Sequence, residues 1–69
     1  MDMRVCAPLS RAELEIVRLV NVGHSNREIA EYLGITVGTT KWHLYQIFVK
    51  LDVKNRTAAA AKARQLKLV

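Results

Sequence analysis

The sequence predicts an all-α domain of four helices, in which helices two and three form a helix-turn-helix and helix four ends the chain. Three observations support this prediction. The chain has 69 residues, a length typical of one domain. Its apolar residues recur with a helical period, and no segment alternates at every second residue as a strand does. Glycines and helix-capping side chains separate four such periodic segments.

Helix one is predicted from about Arg11 to Asn21. Ser10 and Glu13 stand three residues apart, which is the spacing of the capping box that closes a helix start. Apolar residues then follow the helical period up to Gly23. Glycine adopts the left-handed backbone that closes many helices, so the helix is expected to end there.

Helix two is predicted to span about eight residues, from a second capping box at Ser25 and Glu28 to Gly34. Helix three is predicted over Val37 to Leu51 and begins after Thr36, whose hydroxyl can cap it. Three residues separate the two helices. A short helix, a tight turn with a glycine and a longer helix together form a helix-turn-helix.

Helix four is predicted from Arg56 to Leu68, about 13 residues or 20 Å, with Asn55 as its cap. Its alanines have high helix propensity, and their small side chains permit close packing against other helices. Residues 1–8 show no helical pattern and are interpreted as a linker remnant or a cloning scar. The domain therefore covers residues 9–69.

Basic residues are concentrated in the second half of the chain. Residues 1–35 hold four basic and five acidic side chains, whereas residues 36–69 hold seven basic side chains and one acidic residue, Asp52. This asymmetry indicates a polyanionic partner, with nucleic acid ahead of an anionic membrane surface. A solvated basic surface without a partner is the alternative.

Several classes of protein are disfavoured. Cys6 is the only cysteine, which excludes an internal disulfide and a cysteine-based zinc site and favours a reduced, cytoplasmic setting. No apolar run approaches the roughly 18 residues of a membrane span. His24 and His43 lack the carboxylate or cysteine neighbours that a metal or catalytic site requires. The sequence therefore predicts no enzyme, no metal and no cofactor.

Helix three begins with poor helix formers, Val, Gly and Thr, at positions 37 to 40. At about 100° per residue, one arc of this helix forms a core face; it holds Val37, Thr40, Leu44, Ile47, Phe48 and Leu51. The opposite side carries Gly38, Trp42, Tyr45, Gln46 and Val49, with Lys41 and His43 on its flanks. Small residues at the start allow the helix to approach phosphates closely. The free amides and the dipole at the helix N-terminus attract the negative charge of those phosphates.

An alternative function uses the same outward face. Trp42, Tyr45 and Val49 follow the spacing i, i+3 and i+7, which gives an apolar ridge on which a protein partner can dock. In that case the chain is a protein–protein interaction module and its basic charge is incidental.

The run "LSRAELEIVRLVNVGHSNREIAEYLGITVGTTKWHLYQIFVKLDVKNRTAAA" resembles the LuxR-type DNA-binding domain. The matching positions are Leu9, Ser10, Glu13, Gly23, Ser25, Asn26, Glu28, Ile29, Ala30, Thr39, Lys41, His43, Lys50, Leu51, Val53, Asn55 and Arg56. The forms "VGTTKWHL" and "VKNRTAAAAKARQL" are most similar to the MalT-like subgroup, in which this domain ends a large ATP-binding transcriptional activator.

Three positions depart from that family pattern. The family usually has Arg in place of Ala12, an apolar β-branched residue in place of Thr40, and Gly in place of Asp52. Asp52 follows helix three, where a left-handed backbone is often needed. Asp adopts that conformation with more strain than Gly, so the local turn is expected to be less stable.

The resemblance implies sequence-specific binding of double-stranded DNA by a bacterial transcriptional regulator, with helix three in the major groove. It makes Lys41, Trp42 and Tyr45 the candidates for contacts with bases. Each has an alternative: a solvated charge for Lys41, a core residue for Trp42 and a partly exposed helix residue for Tyr45.

Contacts with the DNA backbone are expected from hydroxyls, amides and cations. The candidates are Ser25, Asn26, Thr36, Thr39, His43, Lys50 and Arg56. Ser25 and Asn26 can instead serve as caps alone, His43 can be a flank histidine with satisfied hydrogen bonds, and Arg56 can form a salt bridge with helix one. The resemblance also implies a weak homodimer through helix four, and RNA polymerase is a candidate partner. No membrane partner is expected.

Overall fold

The computed structural model describes residues 8–69, which form four helices and no strand. The helices are α1 (Arg11–Val22), α2 (Asn26–Leu33), α3 (Val37–Leu51) and α4 (Arg56–Gln65). The predicted all-α fold and the helix-turn-helix of α2 and α3 are confirmed, and α1 extends one residue beyond its predicted end. Except for Pro8, the linker assigned to residues 1–8 lies outside the described residues, and so does Cys6.

Each of the four helices begins with a side-chain cap, as the sequence predicts. The Ser10 hydroxyl accepts from the Glu13 amide at 3.1 Å, while the Glu13 carboxylate accepts from the Ser10 amide at 2.8 Å. An equivalent capping box opens α2 at Ser25. Thr36 and Asn55 cap α3 and α4. These bonds satisfy amides that have no partner within their own helix.

Each of the four helices is followed, within two residues of its end, by a residue with a left-handed backbone. Gly23 and Gly34 close α1 and α2, with φ of 109° and 72°. Asp52 closes α3 with φ of 58°, as predicted, and Lys67 follows α4 with φ of 61°. At each end, the next amide bonds a carbonyl five residues back, for example Val53 to Phe48 at 2.9 Å. This is the Schellman motif, so two of these four ends lack the glycine that the motif favours.

The predicted end of helix four at Leu68 is wrong, because α4 stops at Gln65. Its 10 residues make a helix of about 15 Å instead of about 20 Å. The Leu68 amide bonds the Ala63 carbonyl at 2.8 Å, and the side chain of Leu68 packs against the core. The chain therefore turns back after α4, and this turn buries Leu68, which a continued helix would place away from the core.

The core lies where α1, α3 and α4 meet, and α2 packs against α3. Its buried side chains are Ile16, Val17, Val20, Ile29, Leu44, Ile47, Leu51, Ala59 and Ala63. The two alanines come from α4, so the predicted close packing of that helix is confirmed. Within the described residues, no helix is long and apolar enough to cross a membrane.

Two residues at the start of α3 differ in burial. Val37 was expected in the core but is 38% exposed, because the first turn of α3 projects past the core. Thr40 is fully buried, and its hydroxyl donates to the Thr36 carbonyl at 3.0 Å. That bond satisfies the hydroxyl within the helix, which explains how a threonine replaces the apolar β-branched residue usual in the family.

Candidate nucleic-acid interface

The outward face of α3 carries three large apolar or aromatic side chains. Trp42 is 58% exposed, Tyr45 64% and Val49 58%. Since the buried side of α3 is formed by Thr40, Leu44, Ile47 and Leu51, the predicted helical phase is confirmed. Trp42 is therefore not a core residue in this structure. The three side chains share one face of the helix, and a contiguous exposed apolar patch of this kind marks an interaction site more often than single exposed residues do.

The start of α3 is open and has no acidic side chain in its first turn. Thr36 accepts from the Thr39 amide at 3.0 Å, and the two threonine hydroxyls lie 3.0 Å apart. Gly38 is exposed, and a Cβ added there would lie 3.8 Å from the Thr36 hydroxyl, an ordinary contact. The fold itself therefore does not require glycine at position 38.

Four of the predicted site residues lie around one surface depression between α2 and α3. Asn26, Lys41, Tyr45 and Arg56 line it, together with the apolar side chains of Leu44 and Phe48. Lys41 and Tyr45 are candidate base contacts, and Asn26 and Arg56 are candidate contacts with the DNA backbone. The fold thus brings together residues that lie up to 30 positions apart in sequence.

Arg56 is bound to the start of α2. Its guanidinium donates to the Asn26 side-chain oxygen and, at 2.7 Å, to the His24 backbone carbonyl. The predicted alternative of a salt bridge between Arg56 and helix one is therefore wrong. The guanidinium reaches a helix start, where it bonds neutral oxygen atoms.

Lys50 lies near the end of α3, about 14 Å along the helix from Lys41. Its ammonium forms an ion pair with Glu13 at 2.7 Å, and the Glu13 side chain is only 7% exposed. Burial raises the pKa of Glu13, but the hydrogen bonds from Lys50 and Ser10 and the charge of Lys50 outweigh it and hold that pKa below its ordinary value. Lys50 thus has a structural partner that the sequence did not reveal.

Ser25 is exposed, and its hydroxyl accepts from the Glu28 amide at 3.1 Å. The Glu28 carboxylate accepts from the Ser25 amide at 2.9 Å and lies 3.4 Å from His24 Nδ1. The hydrogen bond from the Ser25 amide, and to a smaller extent the one with His24, holds the pKa of Glu28 below its ordinary value. Because the cap uses only the acceptor side of the Ser25 hydroxyl, its proton stays available to a phosphate oxygen.

His43 lies beside Trp42, with ring centroids 5.2 Å apart at 70°. Its Nδ1 atom is buried, and no described residue hydrogen bonds to it. The expectation of a flank histidine with satisfied hydrogen bonds is therefore wrong for this atom. In this conformation Nε2 is the ring nitrogen left to contact a phosphate.

Within residues 8–69, no group of three or more His, Cys, Asp or Glu side chains is placed to hold a metal ion. Two long-range contacts of the predicted residues, Lys50 with Glu13 and Arg56 with Asn26, were not predicted from the sequence. Their partners stand 37 and 30 positions apart, so no local spacing signals them.

Comparison with known proteins finds the family "Bacterial regulatory proteins, luxR family" over residues 7–63. The chain is 48% identical over 61 residues to the transcriptional regulatory protein LiaR of Bacillus subtilis (strain 168), covering 88% of this chain and 29% of LiaR. It is 41% identical over 59 residues to the HTH-type transcriptional regulator AlkS of Ectopseudomonas oleovorans, covering 86% of this chain and 7% of AlkS.

The fold is shared with a solved structure, that of the response regulator ChrA of a heme-sensing two-component system. The TM-score is 0.88 at 46% sequence identity, covering 91% of this chain and 31% of that one. The chain thus spans less than a third of each of these relatives. With its four helices and the sequence match over residues 7–63, the chain belongs to the luxR family of bacterial regulatory proteins, as a helix-turn-helix domain of transcriptional regulators.

Proposed function

We propose that this domain binds double-stranded DNA sequence-specifically, with α3 in the major groove, as the DNA-binding part of a bacterial transcriptional regulator. The observation that carries the proposal is the outward face of α3. Lys41, Trp42 and Tyr45 are exposed there, beside a helix start without acidic side chains. The major groove is wide enough for a helix, and the front of the second helix of a helix-turn-helix reaches the base edges.

The base contacts are assigned by chemistry. The Lys41 ammonium can donate to guanine O6 and N7, and the rings of Trp42 and Tyr45 can cover a thymine methyl or lie along the sugar wall. At 58% and 64% exposure, both rings are free to make such contacts without any rearrangement of the core. Each good base contact contributes about 1–3 kcal/mol of discrimination.

The backbone contacts are proposed to lie on both sides of that face. At the start of α2 they are Ser25 and Asn26, and at the start of α3 they are Thr36 and Thr39. His43 and Lys50 complete the set, although Lys50 also binds Glu13 within the fold. Arg56, which the sequence also favours for such a contact, binds Asn26 within the fold. Such contacts position the protein on the duplex without reading sequence.

A titration with random-sequence duplex at low salt tests the proposal. Basic domains bind DNA nonspecifically with Kd of about 10⁻⁴ to 10⁻⁶ M, so binding at tens of micromolar is expected. If each domain neutralises about four phosphates, log K should fall with log salt with a slope of roughly −3.6. Absence of binding, or a slope near zero, would favour a protein partner on the ridge of Trp42, Tyr45 and Val49.

Sequence specificity needs its own experiment. Selection of bound sequences from random duplex should yield a motif for the parent and an altered motif for Lys41→Ala. Lys67→Ala is the matched control, because it removes the same charge from an exposed site beyond α4. An identical motif for the parent and Lys41→Ala would refute the assignment of Lys41 as a base contact.

We propose the MalT-like arrangement, in which the domain ends a large ATP-binding activator, and its site of action is the cytoplasm. The likeness to AlkS, which matches over only 7% of its length, supports a long chain, whereas LiaR matches over 29%. A phosphate-binding loop motif encoded upstream in the same reading frame would support the proposal, and a short receiver-type domain there would contradict it.

Pairing on DNA is proposed to use α4. This helix exposes Ala61, Arg64 and Gln65, and the small Ala61 allows a second copy to approach closely. The pairing is expected to be weak without DNA, because a helix of about 15 Å offers little area. RNA polymerase is proposed as a further partner of the assembled regulator.

A further inference from the structure

Arg56 occupies an unfavourable place in its own helix. It is the first residue of α4, whose first turn has no acidic side chain. The N-terminus of a helix carries partial positive charge, so a guanidinium there is disfavoured. Its two hydrogen bonds to the start of α2 compensate for that position. Arg56 therefore stabilises the contact with α2 more than it stabilises α4 itself.

This contact fixes the orientation of the Asn26 side chain. A guanidinium has donors only, so the atom of Asn26 that faces it must be the oxygen. The Asn26 amino group, which has donors only, then points away from Arg56. Because Arg56 also binds the His24 carbonyl at 2.7 Å, it holds both the first residue of α2 and the chain that leads into it.

The Asn26–Arg56 pair lies between two surface depressions and lines both. On one side is the depression that contains Lys41 and Tyr45. The other lies between α2 and α4 and is lined in part by Arg27 and Arg64. The pair thus separates the two depressions and lies next to the candidate base contacts. Loss of the contact between Arg56 and Asn26 would therefore change the position of the Asn26 side chain relative to α3.

We infer that Arg56 is a positioning residue for DNA binding, which acts through Asn26 and the start of α2 and does not itself contact a phosphate. This inference rests on the proposed function and replaces, for this residue, the direct phosphate contact that the sequence favoured. The two oxygen atoms that it already binds engage both terminal nitrogens of the guanidinium. Asn26 then supplies the donor that meets the DNA backbone.

Salt dependence separates the two roles. Arg56→Ala should weaken binding about tenfold, because Asn26 loses the charged donor that orients it, while the slope of log K against log salt stays as in the control. Arg18→Ala is the matched control, because Arg18 is exposed on α1 and carries the same charge outside the proposed DNA and pairing surfaces. Asn21, which accepts from Arg64 at 2.7 Å, serves as the reference asparagine. A slope reduced by about 0.9 in Arg56→Ala alone would overturn the inference, because that marks a lost phosphate contact.

A double-mutant cycle tests the route through Asn26. If Arg56 acts by placing Asn26, then Arg56→Ala combined with Asn26→Ala should bind no more weakly than the weaker single variant, within about twofold. Multiplied losses would show two independent contacts and overturn the inference.

If Arg56→Ala does not fold, as a melting curve will show, Arg56→Lys takes its place. Lysine keeps the charge but lacks the two terminal nitrogens with which the guanidinium binds the Asn26 oxygen and the His24 carbonyl. Full affinity for DNA in Arg56→Lys would therefore also overturn the inference.

A measurement on the free protein keeps this inference distinct from the proposed function. NMR relaxation of the side-chain amides should show Asn26 and Asn21 both ordered in the parent. In Arg56→Lys only Asn26 should become mobile on the ps–ns timescale. A mobile Asn26 amide in the parent would refute the positioning role even if DNA binds, whereas failure of the parent to bind DNA would refute the proposed function alone.

Discussion

The ion pair between Lys50 and Glu13 should stabilise the fold, and Lys50→Met should expose its contribution. Methionine keeps the length of the side chain and removes the ammonium. Glu13 then stays almost buried, with its carboxylate bonded only through the capping box at Ser10. An unpaired buried charge is costly because nothing replaces the solvation that it has lost.

The magnitude follows from the burial of the two side chains. Breaking a fully buried pair costs about 3–5 kcal/mol, whereas an exposed pair contributes about 0–1 kcal/mol. Glu13 is 7% exposed and Lys50 29%, so this pair is intermediate and a loss of about 2 kcal/mol is expected at pH 7. For a domain of this size, that corresponds to a drop in Tm of about 8–16 °C.

The effect should depend on pH with a definite sign. The pKa of Glu13 is lower in the folded protein than its ordinary value of about 4.3. Its contribution to stability is therefore complete above that value and is lost as the pH falls through the lower folded pKa. Without Lys50 only the capping box at Ser10 opposes the effect of burial on Glu13, so the pKa of Glu13 rises. The stability deficit of Lys50→Met should therefore shrink towards pH 3.

Urea unfolding followed by circular dichroism at pH 7, 5 and 3 measures both quantities. Glu13→Gln is the control: its amide oxygen still accepts from Ser10, and the released ammonium of Lys50 is exposed enough to be solvated, so the loss should be nearer 1 kcal/mol. A deficit below about 0.5 kcal/mol at pH 7, or one that is equal at pH 7 and pH 3, would refute this account of the pair.

Three further predictions concern the ends and the faces of the helices. Asp52→Gly should raise stability by about 0.5–1 kcal/mol in thermal melting, because it relieves a left-handed aspartate and removes a negative charge from a helix C-terminus; a lower Tm would contradict this. Gly38→Ala should stabilise the free domain by up to about 1 kcal/mol, since the Cβ fits, yet weaken DNA binding in titrations; unchanged affinity would show that α3 does not begin close to the phosphates. Trp42→Ala should change the sequences selected from random duplex while stability changes by less than about 0.5 kcal/mol, and unfolding of the variant would place the ring in the core.

The proposed pairing through α4 gives one more test. Symmetric pairing predicts selected sites with two half-sites about 34–36 Å apart, one turn of DNA, and sedimentation of the free domain as a monomer or weak dimer. A tight dimer without DNA would contradict the weak pairing, and single unpaired half-sites would contradict the symmetric arrangement.

Much of the fold follows from short-range patterns in the sequence. The two serine–glutamate capping boxes and the two glycines that close α1 and α2 involve residues three to five positions apart, so spacing alone predicts them. The same holds for the phase of α3, because the helical period assigns Thr40 to the core and Trp42 to the surface. The need for a left-handed residue at Asp52 was likewise predicted, by comparison with the family pattern.

The remaining features depended on how the helices pack. Val37 obeys the helical period but is exposed, because the core does not extend to the first turn of α3. Helix α4 stops at Gln65 because burying Leu68 requires the chain to turn back, which local propensity does not indicate. The partners of Lys50 and Arg56 lie 37 and 30 positions away. They meet only once α3 packs on α1 and the packing of α4 on α1 and α3 brings its first residue to the start of α2. The sequence by itself thus determined the helices and their outward face. The tertiary structure alone decided which of the basic side chains are bound within the fold, because a charged side chain can select its partner only after packing has brought the helices together.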